Sequence, residues 1–111
     1  MDKFKITKVK KLNGTIMNNK IIKILKEQKS VLEKNFHINK IGIFGSYARN
    51  EETPDSDIDI LVEYNKTPGL FEFFSLEEHL ETVLNKKIDL VRKEGLKKQI
   101  KEQVLSEVLY I

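Results

Sequence analysis

The chain has 111 residues, 40% hydrophobic and 33% charged, a composition that suits one globular domain with a heavily solvated exterior. It holds no cysteine and no run of about eighteen apolar residues, which excludes disulfides, thiolate metal sites, thiol catalysis and an apolar membrane-spanning helix. Net charge is only +3 but unevenly spread, with twelve Lys/Arg against three Asp/Glu in residues 1–50 and eight against fourteen in residues 51–111.

Residues 1–18 show no sustained apolar period: Phe4 and Ile6 alternate briefly, lysines intervene, and Asn13-Gly14 is a turn signal. They are expected to form a basic arm or a marginal hairpin ahead of a domain spanning residues 19–111. The opening MDKFKITKVKK has neither the apolar segment nor the cleavage site of a secretory signal, so a cytoplasmic location is expected. From Asn19 to Phe36, Ile21, Leu25, Leu32 and Phe36 follow a helical period, with Asn18 or Asn19 available as a cap. Residues 38–44 are short, rich in β-branched side chains and closed by a glycine, which predicts a buried strand.

Residues 50–56 contain Thr53-Pro54 and form a loop. In residues 57–64 the side chains alternate, with Ile58, Ile60, Val62 and Tyr64 on one face and Asp57, Asp59, Leu61 and Glu63 on the other. A helix follows Pro68-Gly69 with Phe73, Leu76, Leu80, Val83 and Leu84 on one stripe, although Ser75 and Glu78 also fit a capping box for a later start. Residues 87–92 give a third strand. Leu96, Ile100, Val104 and Val108, with Leu105 and Leu109 beside them, give a last amphipathic helix. The expected architecture is an α/β (α+β) fold, a small mixed sheet of about three strands packed with about four helices.

The aspartates at the ends of apolar strands carry the chemistry. Asp57 and Asp59 project from one face of a strand with Cα atoms about 6.6 Å apart. Like charges held that close repel, and a hard divalent cation such as Mg²⁺ or Mn²⁺ resolves the conflict. Asp89, between Ile88 and Leu90, completes the cluster if the two strands are neighbours in register. An isolated Asp-x-Asp is more often an idle, solvated strand end, so the context upstream decides. There, Gly45 lets a polyphosphate approach the backbone, Ser46 offers a hydroxyl at the start of a short helix, and Arg49 lies one turn on.

Gly45-Ser46-Tyr47-Ala48-Arg49, a spacer, Asp55-Ser56-Asp57-Ile58-Asp59, and Asp89 within Ile88-Asp89-Leu90-Val91 together resemble the minimal nucleotidyltransferases (the MNT family) of the DNA polymerase β-like superfamily. The likeness runs over about residues 19–111. The family pattern usually has glycine where Asn50 stands, and asparagine is the next-best residue for a left-handed backbone. The resemblance implies transfer of AMP from ATP, with Asp57, Asp59 and Asp89 as catalytic residues holding Mg²⁺ or Mn²⁺, two ions, and Gly45, Ser46 and Arg49 holding the nucleotide's phosphates. Larger relatives carry a further domain for the acceptor. Members of this size are similar to antitoxins that modify a tyrosine of a partner HEPN-domain toxin, which makes such a toxin the expected partner in a hetero-oligomer.

Two other readings stand beside this one. The domain neutralises its partner by occlusion, with Phe71, Phe74 and Tyr110 as exposed apolar candidates, or it modifies a small molecule such as an aminoglycoside. RNA end-modification is less expected. Eighteen of the twenty basic residues are lysine, so forked guanidinium contacts are scarce, and aromatics do not interleave with them. His37 and His79 each stand alone, without metal-ligand spacing, and are expected on the surface or in packing. Tyr47 is expected to pack beneath the short helix.

Overall fold

The computed structural model describes the backbone of residues 2–111 and the side chains of residues 18–111. In chain order it has α1 (Asp2–Phe36), β1 (Ile38–Phe44), α2 (Gly45–Ala48), β2 (Ile58–Tyr64), α3 (Leu70–Leu84), β3 (Ile88–Arg92), a single 3₁₀ turn (Lys93–Gly95), α4 (Lys98–Glu107) and β4 (Leu109–Tyr110). The strands form one mixed sheet in the order β3-β2-β1-β4. β1 runs antiparallel to β2 and to β4, and β2 runs parallel to β3. Among the described residues no helix is long and apolar enough to cross a membrane.

Alternation along the strands gives the sheet two unlike faces. Ile41, Ile43, Ile58, Ile60, Val62, Ile88 and Leu90 share one core cluster with Ile21, Leu25 and Leu32 of α1 and Leu76 and Leu80 of α3. Each such side chain contributes roughly 1.5–3 kcal/mol of transfer free energy when fully buried, and Leu25, Ile43, Ile60, Leu76 and Leu80 have no measurable exposure. The opposite face carries Asp59, Leu61 and Glu63 of β2 and Asp89 of β3. Leu61 and Val104 are buried outside the main cluster, so that face is covered only in part.

Two expectations change. α1 begins at Asp2 rather than at a cap near Asn18, so the separate arm is replaced by continuous helix. Gly14 is tolerated there because a single glycine lowers helix stability by only about 1 kcal/mol. Asn18 is instead buried within the helix, and its Nδ2 donates to Asn50 Oδ1 at 2.7 Å. The last helix stops at Glu107, and Leu109 and Tyr110 form a fourth strand against Ile43 and Gly42. α3 starts directly after Gly69, as expected, and the alternative start falls away because Ser75 lies inside the helix.

Gly42 makes that last pairing possible. A Cβ there would lie 2.7 Å from the Leu109 carbonyl oxygen and 2.8 Å from Val108 Cγ2. Gly42→Ala is therefore expected to push β4 off the sheet and destabilise the domain by roughly 1–3 kcal/mol, the usual cost of overpacking. A urea midpoint equal to that of the wild type would show that β4 yields without cost.

Candidate active site

The site lies where β1 ends and β2 and β3 begin. Pairing places Phe44 opposite Asp59 across the antiparallel ladder, and Asp59 opposite Asp89 across the parallel one. The ladder is extended backward by the Ile58 N–H, which donates to the Lys87 carbonyl at 3.1 Å. Asp57 immediately precedes β2 and, two residues from Asp59, belongs to the same side of the chain. The sheet thus brings the three predicted acids to one edge of its less covered face. Asp59 is half-buried, whereas Asp57 and Asp89 are exposed.

Burial pushes the Asp59 carboxyl up to about 6, and the neighbouring charges of Asp89 and then Asp57 push it the same way. Arg49 opposes the shift and Glu107 adds to it. The cluster is a place where negative charge is held against its preference. Among the described residues no three acidic or histidine side chains converge closely enough to clasp a metal ion as they stand. The donor set nevertheless fits one in kind, because it consists of hard carboxylate oxygens whose mutual repulsion a divalent cation relieves. Its two exposed members are free of the core packing that would fix their rotamers.

Directly beside the acids the chain turns at Gly45, whose φ is +71°. The space a Cβ would fill holds the Asp59 carboxylate, so this position demands glycine both for its backbone and for its neighbour. α2 follows for one turn, anchored by Tyr47, which is 1% exposed. Asn50, at φ 59°, then takes the left-handed conformation expected of it. The turn is closed by the Glu51 N–H donating to the Ser46 carbonyl at 2.8 Å. In the next loop Thr53 N–H donates to Ser56 Oγ at 2.9 Å, which steadies the approach to Asp57.

One participant escaped the sequence. Glu107, the last residue of α4, accepts from the Gly45 N–H through Oε1 at 3.0 Å. The Arg49 Nη1 donates to both of its oxygens at 3.1 Å. Arg49 Nε donates at the same time to Glu51 Oε1 at 2.8 Å. Two of the three groups expected to meet phosphate therefore meet this carboxylate. The only available signal was the position of Glu107 at the end of an amphipathic helix, which says nothing of a partner sixty residues away in the chain.

The other candidates take structural places. His79 Nε2 lies 2.8 Å from Gln28 Oε1, and its ring stands 5.2 Å from that of Phe36. His37 is exposed and supplies the left-handed link between α1 and β1. Tyr47 packs as expected, with Lys86 Nζ 5.8 Å from its ring centre.

Comparison with known proteins points one way. The family model described as Polymerase beta, Nucleotidyltransferase matches residues 19–111. The chain is 47% identical over 88 residues to the protein adenylyltransferase MntA of Thermococcus cleftensis, covering 79% of this chain and 89% of that one. A chain of a toxin–antitoxin crystal structure with AMP-PNP superposes with a TM-score of 0.62 at 28% identity, over 84% of this chain and 70% of that one. A chain from the complex of a tri-AMPylated Shewanella oneidensis HEPN toxin with an MNT antitoxin gives 0.55 at 26% identity, over 87% and 70%.

Proposed function

Given that the chain belongs to the polymerase β nucleotidyltransferase family, and is a nucleotidyltransferase, we propose that it transfers AMP from ATP to a tyrosine of a partner HEPN toxin and so acts as its antitoxin. The observation that carries this is the in-register pair Asp59 and Asp89 on the open sheet face, directly beside the Gly45 turn. The names of the relatives support the acceptor class, since one is called a protein adenylyltransferase and another stands in a complex with an AMPylated toxin.

In the reaction the tyrosine oxygen bonds to the α-phosphorus, the bond from that phosphorus to the bridging oxygen breaks, and pyrophosphate leaves. Asp57, Asp59 and Asp89 would hold the divalent metal, Mg²⁺ or Mn²⁺, which when bound neutralises phosphate charge and eases deprotonation of the acceptor. Gly45 and Ser46 present a backbone amide and a hydroxyl to the leaving phosphates, and Arg49 supplies positive charge at their edge. Asp89, which is exposed, would take the tyrosine proton. Little covalent work falls to the protein, so alignment and charge carry the catalysis.

The test is direct. Purified protein, ATP, Mg²⁺ and the HEPN toxin encoded beside it should yield a toxin carrying AMP on tyrosine, detected by mass spectrometry. An unmodified toxin, or label found only on a small molecule, overturns the proposal. Occlusion remains the second reading because Leu70, Phe71 and Phe74 at the start of α3 are 68%, 85% and 52% exposed. Under that reading the double variant Asp57→Ala, Asp59→Ala still neutralises the toxin. Under transfer it does not.

A further inference from the structure

The carboxylate of Glu107 occupies the place where a phosphate is expected. It takes the Gly45 amide at 3.0 Å and one edge of the Arg49 guanidinium at 3.1 Å. Gly45 has a single N–H, and Arg49 also gives its Nε to Glu51, so neither donor is idle. A triphosphate arriving at these donors meets a resident anion of like charge, and both cannot occupy one amide. The Glu107 side chain is 19% exposed, and β4, not this side chain, ties the following residues to the sheet. It therefore can swing out without unravelling the C-terminal strand.

We infer that Glu107 is a tethered competitor of the polyphosphate: it fills the Gly45–Arg49 cradle when no nucleotide is bound, yields it to the incoming triphosphate, and returns as pyrophosphate departs. The inference rests on the transferase reading and adds to it a reason why the product leaves. While seated, Glu107 also holds the Gly45 turn and Arg49 in their places, so the cradle keeps its shape between turnovers.

Binding measurements on the full chain with Mg²⁺ test this, using inorganic tripolyphosphate, pyrophosphate and adenosine as probes against the wild type, Glu107→Gln and Glu107→Ala. Glutamine keeps the length and an acceptor for the Gly45 amide but removes the charge. Both variants are expected to bind tripolyphosphate and pyrophosphate more tightly, on the order of tenfold, with adenosine binding unchanged because it lacks the phosphates that compete. Stronger inhibition of transfer by pyrophosphate should accompany this. Equal or weaker polyphosphate binding by Glu107→Gln overturns the inference and makes Glu107 a support or a metal ligand. An equal gain for adenosine overturns it too, by revealing a general change of the pocket. Should the wild type transfer AMP while the variants show no gain, the competitor is wrong and the transferase stands. If neither wild type nor variants bind any polyphosphate, the transferase reading itself falls.

Discussion

Asp59→Asn is expected to lower AMP transfer by roughly a thousandfold or more, because it removes a central charge from a site whose catalysis is electrostatic. The same change should make the metal-free protein more stable at neutral pH. The Asp59 carboxyl is raised from 3.8 to about 6 in the fold, first by burial and then by Asp89 and Asp57. Between those two values the folded state binds the proton that the unfolded state has released, so wild-type stability falls as pH rises from about 4 to 6. Below that window both states are protonated and the penalty is absent; above it the penalty is complete. Because the group is only half-buried, solvent screening reduces the effect to the order of 1 kcal/mol. Urea midpoints in chelator should therefore coincide for wild type and variant near the low end of the window and separate at neutral pH. A variant less stable than the wild type at neutral pH would mean that Asp59 holds the fold together rather than straining it.

Gly45→Ala is expected to act on both fold and chemistry. A left-handed φ of +71° costs a residue with a side chain roughly 1–3 kcal/mol when the surroundings enforce it. The added methyl also displaces the Asp59 carboxylate, which cannot stay where the Cβ must go. Displacement of a reacting group by about an ångström can cost on the order of a hundredfold in rate. Thermal melting and single-turnover transfer should both drop, and added Mg²⁺ should not restore the rate. A variant that melts lower yet transfers at the wild-type rate would separate the Gly45 turn from the active geometry.

What was legible in the chain follows from how local each signal is. The strands at 38–44, 57–64 and 87–92 declare themselves by β-branched residues and period two, and they stand within a residue of their expected bounds. The left-handed Asn50 was legible too, since few other residues take that conformation cheaply. The likeness of the Gly45–Asp59 stretch and of Asp89 to a known motif pointed to the rest of the candidate site. Three features were not legible. The helix start at Asp2 lies in a stretch without an apolar stripe, where no period marks a boundary. β4 is two residues long, and only a glycine sixty-seven positions earlier shows why it pairs. The Glu107 contact joins the end of α4 to the Gly45–Arg49 turn through one side chain, which no spacing rule detects.

Between Tyr64 and Ile88 the chain leaves the sheet, crosses as α3 and returns to lie parallel to the strand it left. Asp59 and Asp89 are thirty positions apart in the chain, yet their alignment is decided by backbone bonds between two strands and by nothing in the excursion. A graft of foreign sequence into the exposed turn at residues 65–67 should leave the acids aligned, whatever its length, provided α3 still seats Leu76 and Leu80. A slip of β3 by one residue against β2 has the opposite effect: it turns Asp89 onto the helix-covered side and a leucine out in its stead. The alignment of the acids is thus indifferent to large changes in the intervening polypeptide and intolerant of the smallest slip in their own strands.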